Sequence, residues 1–286
     1  MTDVVHEPRA LREACDQLRA SDARVGLVPT MGALHDGHLS LVAATREAGA
    51  TRVVVSVFVN PTQFGEGEDF DKYPRTLEQD VELCRERGVD LVYAPPVDGM
   101  YPEGFETHVE VERTTARFEG AHRPTHFRGV TTVVTKLFNA VGPCVAAFGR
   151  KDYQQWRVLW RMARDLDMPV EVLGCPIVRE PDGLAMSSRN RYLDAGERQR
   201  ATAIVQGLRA ADAAYRDGER EVARLEALAR APVQADFDRI DYIAVVGAES
   251  LEPCTGTAGD DVVVLCAAHL GQTRLIDNAR LGRDRL

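Results

Sequence analysis

A strand covered on one face alternates apolar with polar residues, and Val53–Val59, V-V-V-S-V-F-V, does not alternate. So short and continuous an apolar run fits a strand buried on both faces, as in a parallel sheet flanked by helices. Val25–Val28 is a second such run, with Pro29 expected to end it. Between the two, Leu39, Leu41, Val42, Ala43 and Ala44 shift to helical spacing over about His38–Ala48, stopped by Gly49. Strand, helix and strand with short links make a right-handed crossover unit.

The same grammar continues along the chain. Helical spacing is read over Glu7–Ala20, Thr76–Arg87, Val130–Val141 and Tyr153–Asp165, and strands over Asp90–Ala94, Cys144–Phe148 and Val170–Leu173. The expectation is an α/β fold with a doubly wound, Rossmann-like parallel sheet. Near Pro176 the pattern changes. Asp194 is placed to cap a long helix from Ala195 to about Gly218, a shorter helix follows over Glu219–Ala231, and Ile240–Val246 and Val262–Cys266 read as strands. Helices followed by strands suggest a smaller α+β C-terminal domain, giving expected domains of 1–180 and 181–286, the second covering the active site.

The net charge of −9 argues against nucleic acid or an anionic membrane as partner, so an anionic substrate would need a locally positive pocket. No apolar run approaches the ~18 residues that span a bilayer. The amino terminus has neither the basic region nor the apolar core of a secretory signal, and the six cysteines form no C-x-x-C pair. A cytoplasmic protein with reduced, mostly buried thiols is expected.

The turn between Val28 and the first crossover helix reads P-T-M-G-A-L-H-D-G-H. Its two histidines, His35 and His38, fall where a strand's carboxyl end meets a helix amino terminus, which is where α/β sheets bind ligands and where anions are favoured. No G-x-G-x-x-G and no G-x-x-x-x-G-K-[ST] occurs. H-D-G-H alone leaves three readings open: phosphate chemistry, a zinc pair lacking its third ligand, and two hydrogen-bonded turn histidines. Other segments favour phosphate. Asn60 and Gln63 in F-V-N-P-T-Q-F, and Lys151 and Asp152 in G-R-K-D-Y-Q-Q, follow expected strand ends. A-M-S-S-R-N-R-Y-L adds two hydroxyls and two guanidiniums, and Glu119–Val130 is rich in His and Arg.

Together these segments closely resemble the pantothenate synthetase family, the pantoate–β-alanine ligases of the H-x-G-H nucleotidyltransferase superfamily. The matches are P-T-M-G-A-L-H-D-G-H, F-V-N-P-T-Q-F, K-Y-P-R-T, E-G-x-x-R-P-x-H-F-x-G-V, K-D-Y-Q-Q, M-S-S-R-N-x-Y-L and R-L-I-D-N, from about Val25 to Asn278. The resemblance implies that ATP, pantoate and β-alanine give pantothenate, AMP and pyrophosphate through a pantoyl adenylate. It implies an ATP site of Met31, Gly32, Ala33, Leu34, His35, Asp36, Gly37 and His38, completed by Gly149, Arg150, Lys151, Asp152, Val178, Met186, Ser187, Ser188 and Arg189. His38 would be the catalytic histidine, His35 its partner and Lys151 a third catalytic group. Gln63 and Gln155 would hold pantoate, Gln63 also serving β-alanine, with Asn60, Tyr73, Arg123 and His126 near the ligands. A homodimer and magnesium are implied too, with Asp80 as the metal-side carboxylate beside Gln79, where some relatives carry another acid.

The residue types suit a carboxylate attacking the α-phosphorus of ATP. Gln63 and Gln155 position pantoate without neutralising its oxygen, whereas Lys151, Arg189 and Mg²⁺ offset charge on departing pyrophosphate. Three rival functions share the sequence: a nucleotidyltransferase adenylylating a phosphate ester, a nucleotide-binding module without turnover, and a zinc hydrolase using His35 and His38.

Overall fold

The computed structural model describes residues 2–286 and divides into two compact units: the residues up to Arg150 with Gln154–Cys175, and Lys151–Tyr153 with Pro176–Leu286.

The elements run β1 (Asp3–Val5), α1 (Pro8–Ala20), β2 (Val25–Thr30), α2 (Asp36–Glu47), β3 (Arg52–Val57), α3 (Leu77–Glu86) and β4 (Leu91–Tyr93). There follow α4 (Val97–Met100), α5 (Glu119–His122), α6 (His126–Val141), β5 (Cys144–Gly149), α7 (Tyr153–Asp165) and β6 (Val170–Cys175). All six strands of this first unit are parallel, in the order β1-β4-β3-β2-β5-β6. The expected doubly wound sheet is present, widened by β1, a three-residue strand too short to announce itself in sequence. Alternate residues of the unbroken apolar strands serve opposite cores. Val54 joins Leu27, Ala146 and helix residues such as Leu11 and Leu137, while Val53 and Val55 join Val28, Leu41, Val42 and Cys84.

Chain order reverses between β2 and β5, and there the sheet opens. β2 pairs with β3 through Thr30 but with β5 only at Gly26 and Leu27. Pro29 does not end β2, as its residue type suggested; it lies inside the strand opposite Ser56. Thr30 accepts from the Phe58 amide, so it faces β3, and by alternation Pro29 faces the side where β5 pairing has already stopped. Its missing N–H therefore breaks no ladder bond. The resulting crevice at the carboxyl ends of β2 and β5 is the topological switch point of an open α/β sheet.

In the second unit come α8 (Ala195–Ala201), α9 (Ala203–Arg216), α10 (Val222–Asp236) and the antiparallel strands β7 (Arg239–Gly247), β8 (Val262–Leu270) and β9 (Thr273–Arg280). Asp194 caps α8 in a reciprocal box with Glu197. The single long helix expected from Ala195 is broken at Thr202, whose amide and hydroxyl both donate to the Gln199 carbonyl. The helix expected over Glu219–Ala231 starts later and runs through Pro232, with Ala229 and Val233 buried on either side. Packing against the sheet outweighs a proline cost of about 3 kcal/mol. The core of this unit includes Ile204, Leu208, Leu225, Val245, Val264 and Leu275. Strand β9, hidden in sequence by its charged residues, contributes Leu275 and Ala279 from one face. Among the described residues no helix is long and apolar enough to cross a membrane, and all six cysteines are free thiols.

Candidate active site

The turn between β2 and α2 is held open by specific contacts. Gly32 lies at φ +80° and Ala33 at φ +50°, two successive left-handed residues, the second carrying a Cβ that disfavours it. Asp80 of α3 secures the bend: Oδ2 accepts from the Ala33 amide at 3.0 Å and Oδ1 from the Leu34 amide at 2.8 Å. Thr76, the N-cap residue of α3, donates its hydroxyl to Asp80 Oδ2 at 3.2 Å. A Cβ on Gly32 would stand 2.9 Å from Asp80 Oδ2 and 3.0 Å from Val57 Cγ1, so space as well as conformation demands glycine. Asp80 is 1% exposed.

This bend delivers His35 to the N-cap of α2, its carbonyl accepting from the amides of His38 and Leu39. The His35 ring does not cap the helix. It stacks on His38, with centroids 4.1 Å apart and planes inclined by 31°. Three-residue spacing at a helix start is what brings the rings to one face. Two full positive charges at about 4 Å would repel by about 4 kcal/mol at an effective dielectric of 20, a repulsion that a nearby anion would offset.

Gln63 joins this turn from the next strand end. Pro61–Gln63 is one 3-10 turn capped by Asn60. Asn60 donates to Gln63 Oε1 at 3.0 Å, and Gln63 Nε2 donates to Met31 Sδ at 3.1 Å. Asn60 also donates to the Gly129 carbonyl at 3.2 Å and accepts from the Tyr101 hydroxyl at 2.8 Å. Burial raises the Tyr101 pKa, which keeps that hydroxyl a donor. Tyr101 was not picked out by the sequence, because nothing in Met100–Pro102 signals a partner forty residues away. A Cβ on Gly129 would lie 2.4 Å from the Thr62 carbonyl, so α6 presses directly on the Gln63 turn.

Arg123 and His126 brace that turn from behind. Arg123 makes a bidentate pair with Glu68 at 2.7 and 2.6 Å, and His126 Nδ1 lies 2.9 Å from the Gln63 carbonyl. A carbonyl only accepts, so Nδ1 carries the proton, and Nε2 accepts from Arg123 Nη1 at 3.2 Å. Burial, with the Arg123 charge second, pulls the His126 pKa down to about 4, in keeping with a neutral ring. At Glu68 burial pushes upward, but the Arg123 hydrogen bonds and charge outweigh it and the net shift is downward. The acidic loop Gly65–Phe70 thus finds its use in Glu68. Tyr73 is buried, edge-on to Phe64.

The K-D-Y-Q-Q glutamines separate in role. Gln154 is buried, accepting from the Glu119 amide and donating to the Thr114 and Arg117 carbonyls, whereas Gln155 is half-buried. Gly149 ends β5 with open space where a Cβ would be, and Arg150 starts a 3-10 turn.

Within the second unit, Lys151 Nζ lies 3.6 Å from Asp152 Oδ1, and the Lys151 carbonyl accepts from Asn278 at 2.9 Å. That bond explains the N of the R-L-I-D-N motif. Val178 and Met186, distant in sequence, meet across a hairpin through the Met186 amide and Val178 carbonyl at 2.9 Å. Arg179 anchors it in a buried bidentate pair with Asp277 at 2.6 and 3.1 Å. Ser187 caps the following turn by accepting from the Arg189 amide at 3.3 Å, and Ser188 is buried. The predicted residues therefore fall into two local sets. Met31–His38, Asn60, Gln63, Tyr73, Asp80, Arg123, His126, Gly149, Arg150 and Gln155 belong to the first unit, and Lys151, Asp152, Val178 and Met186–Arg189 to the second.

No group of three or more His, Cys, Asp or Glu side chains suited to a metal occurs among the described residues. His35 and His38 thus gain no third protein ligand for zinc, and both Asp80 oxygens are engaged by backbone amides.

Comparison with known proteins gives one answer. The family model described as pantoate-beta-alanine ligase matches residues 3–280. A pantothenate synthetase from Syntrophotalea carbinolica is 50% identical over 277 residues, covering 96% of this chain and 97% of that protein. The crystal structure of the pantoate-β-alanine ligase (pantothenate synthetase) of Thermus thermophilus superposes with TM-score 0.92 at 47% identity, covering 98% of this chain and 99% of that one. A Francisella tularensis pantoate-β-alanine ligase, complexed with β-γ ATP and β-alanine, superposes with TM-score 0.82 at 29% identity, over 99% of both chains.

Proposed function

From the premise that this chain belongs to the pantoate-beta-alanine ligase family and is a ligase of pantothenate synthesis, we propose that it works in two steps through an enzyme-bound pantoyl adenylate. In the first, a pantoate carboxylate oxygen attacks the α-phosphorus of ATP; the bond to the β-phosphate oxygen breaks and pyrophosphate leaves with the electron pair. In the second, the free amine of β-alanine attacks the acyl carbon, AMP leaves with the C–O electron pair, and the amine nitrogen loses a proton. The observation that carries this reading is the stacked His35–His38 pair at the N-terminus of α2, on the switch-point crevice, beside a Gln63 fixed to Met31.

Roles follow from charge. The α2 dipole favours an anion by roughly 0.3–2 kcal/mol, while one aimed donor is worth about 2.7–4 kcal/mol in a transition state. His38 is therefore the main donor to the phosphate oxygens and His35 its partner. Lys151 and Arg189 offset charge on the leaving pyrophosphate, with Gly32–Gly37, Gly149, Arg150, Asp152, Val178 and Met186–Ser188 as further ATP contacts. Gln63 and Gln155 hold pantoate, Gln63 also meeting β-alanine. Asn60 and Tyr101 orient Gln63, and Arg123 and His126 support it through its backbone carbonyl.

Magnesium is read as an ion carried by the triphosphate, since Mg²⁺ is commonly held by substrate phosphates with few protein carboxylates. The Asp80 carboxylate does not fit a ligand role, because both of its oxygens accept from backbone amides. A cytoplasmic homodimer completes the proposal.

The test mixes the protein with ATP, Mg²⁺ and pantoate, with and without β-alanine, and follows AMP and new products by mass. Pantothenate and AMP in equal amounts are expected, dependent on both acceptors. AMP formed equally without pantoate would refute the ligase mechanism.

A further inference from the structure

Asp80 is the residue whose sequence-based role and structural surroundings diverge most. The motif match makes it a metal-side carboxylate, yet it is 1% exposed and its two oxygens accept from the Ala33 and Leu34 amides. A third donor, the Thr76 hydroxyl, fixes it from its own helix. The amides it holds belong to the left-handed pair Gly32–Ala33, and Ala33 is held at φ +50° although alanine resists that region. Gly32 has no room for a side chain, with Asp80 Oδ2 at 2.9 Å and Val57 Cγ1 at 3.0 Å from where a Cβ would be. Two residues after Ala33 come the N-cap His35 and the start of α2.

We propose that Asp80 is a positioning residue of the adenylylation site, not a metal ligand: its carboxylate holds Ala33 in the left-handed conformation and so sets the entry of α2 and the His35–His38 stack. A charged carboxylate accepting two amides compensates a strained backbone conformation directly. The proposal rests on the ligase reading for its kinetic test, but its structural half stands without it.

The experiment compares wild type, Asp80→Asn, Ala33→Gly and the double variant, reading turnover as a function of Mg²⁺ concentration. Asp80→Asn keeps the volume but presents an N–H₂ where an amide needs an acceptor. Its kcat is expected to fall by about 10- to 100-fold, with the half-activating Mg²⁺ concentration unchanged within about twofold. Glycine adopts the left-handed region freely, so Ala33→Gly in that background should recover ~3- to 10-fold relative to Asp80→Asn alone. A half-activating Mg²⁺ concentration raised by about tenfold or more with no recovery would overturn the proposal, and so would full activity in Asp80→Asn. A second readout needs no turnover: amide hydrogen exchange at Ala33 and Leu34 in the free protein, expected to accelerate in Asp80→Asn while the β3 amides stay protected. If Asp80→Asn fails to fold, Thr76→Val weakens the same carboxylate more gently, and unchanged exchange at both amides there would overturn the proposal. If wild type makes no pantothenate, the ligase reading fails while exchange still decides the role of Asp80.

Discussion

His126 shows how a buried histidine serves by staying neutral. Its Nδ1–H is donated to the Gln63 carbonyl and its Nε2 lone pair to Arg123, so a second proton would set two donors against each other. Its pKa falls from an ordinary 6.5 to about 4 on folding, so between those values the unfolded chain binds more protons and this group's contribution to stability rises with pH. That contribution is complete above pH 6.5, is lost as pH falls toward 4, and amounts to roughly 3 kcal/mol. Denaturant unfolding of wild type and His126→Asn between pH 7 and 4 checks it. The asparagine variant, which keeps a donor for Gln63, should lose less stability on acidification, and equal losses would refute the assignment. At this scale the sequence marks side chains by motif but leaves their contacts hidden. His35, His38, Gln63 and Lys151 stand out by motif, whereas Tyr101, Glu68 and Gly129 act only through residues far along the chain. Asp80 was visible as an acid, but its amide partners were not, because backbone acceptance leaves no mark on residue type.

Elements turn these side chains into a site through the way β2 leaves the sheet. Pro29 is admitted because pairing with β5 has stopped by then, and the turns that carry His35 and Gln63 follow the carboxyl ends of β2 and β3. Helix α6 sets the depth of the second turn, with the Gly129 backbone against the Thr62 carbonyl. Gly129→Ala should therefore shift Gln63, raising KM for pantoate by about tenfold or more with a smaller effect on ATP. Steady-state kinetics with each substrate varied gives the split, and equal changes in both KM values would argue against it. Apolar periodicity revealed nearly every strand of the first unit because both faces of β2, β3 and β5 are buried. It missed β1 for shortness, β9 for its charged residues, and the break at Thr202 because both flanking segments keep one helical face.

At the scale of the whole molecule, a chain of net charge −9 can meet an anion only where donors are concentrated locally. The first unit contains the start of α2, the histidine stack and the Asn60–Gln63 turn; the second contains Lys151 and the Val178–Met186 hairpin braced by Arg179 and Asp277. The change of architecture was readable in outline, since parallel-sheet grammar gives way to helices and antiparallel strands near Pro176. Its detail was not, because Lys151–Tyr153 groups with the second unit through contacts such as Asn278 to the Lys151 carbonyl and Tyr153 to the Ala248 carbonyl. The central claim is that H-D-G-H transfers an adenylyl group to a carboxylate, and isotope exchange tests it most directly. Labelled pyrophosphate should enter ATP without β-alanine only when pantoate is present, and the rate should fall at least ~100-fold in His38→Ala. Exchange that proceeds without pantoate, or at full rate in His38→Ala, would contradict the account.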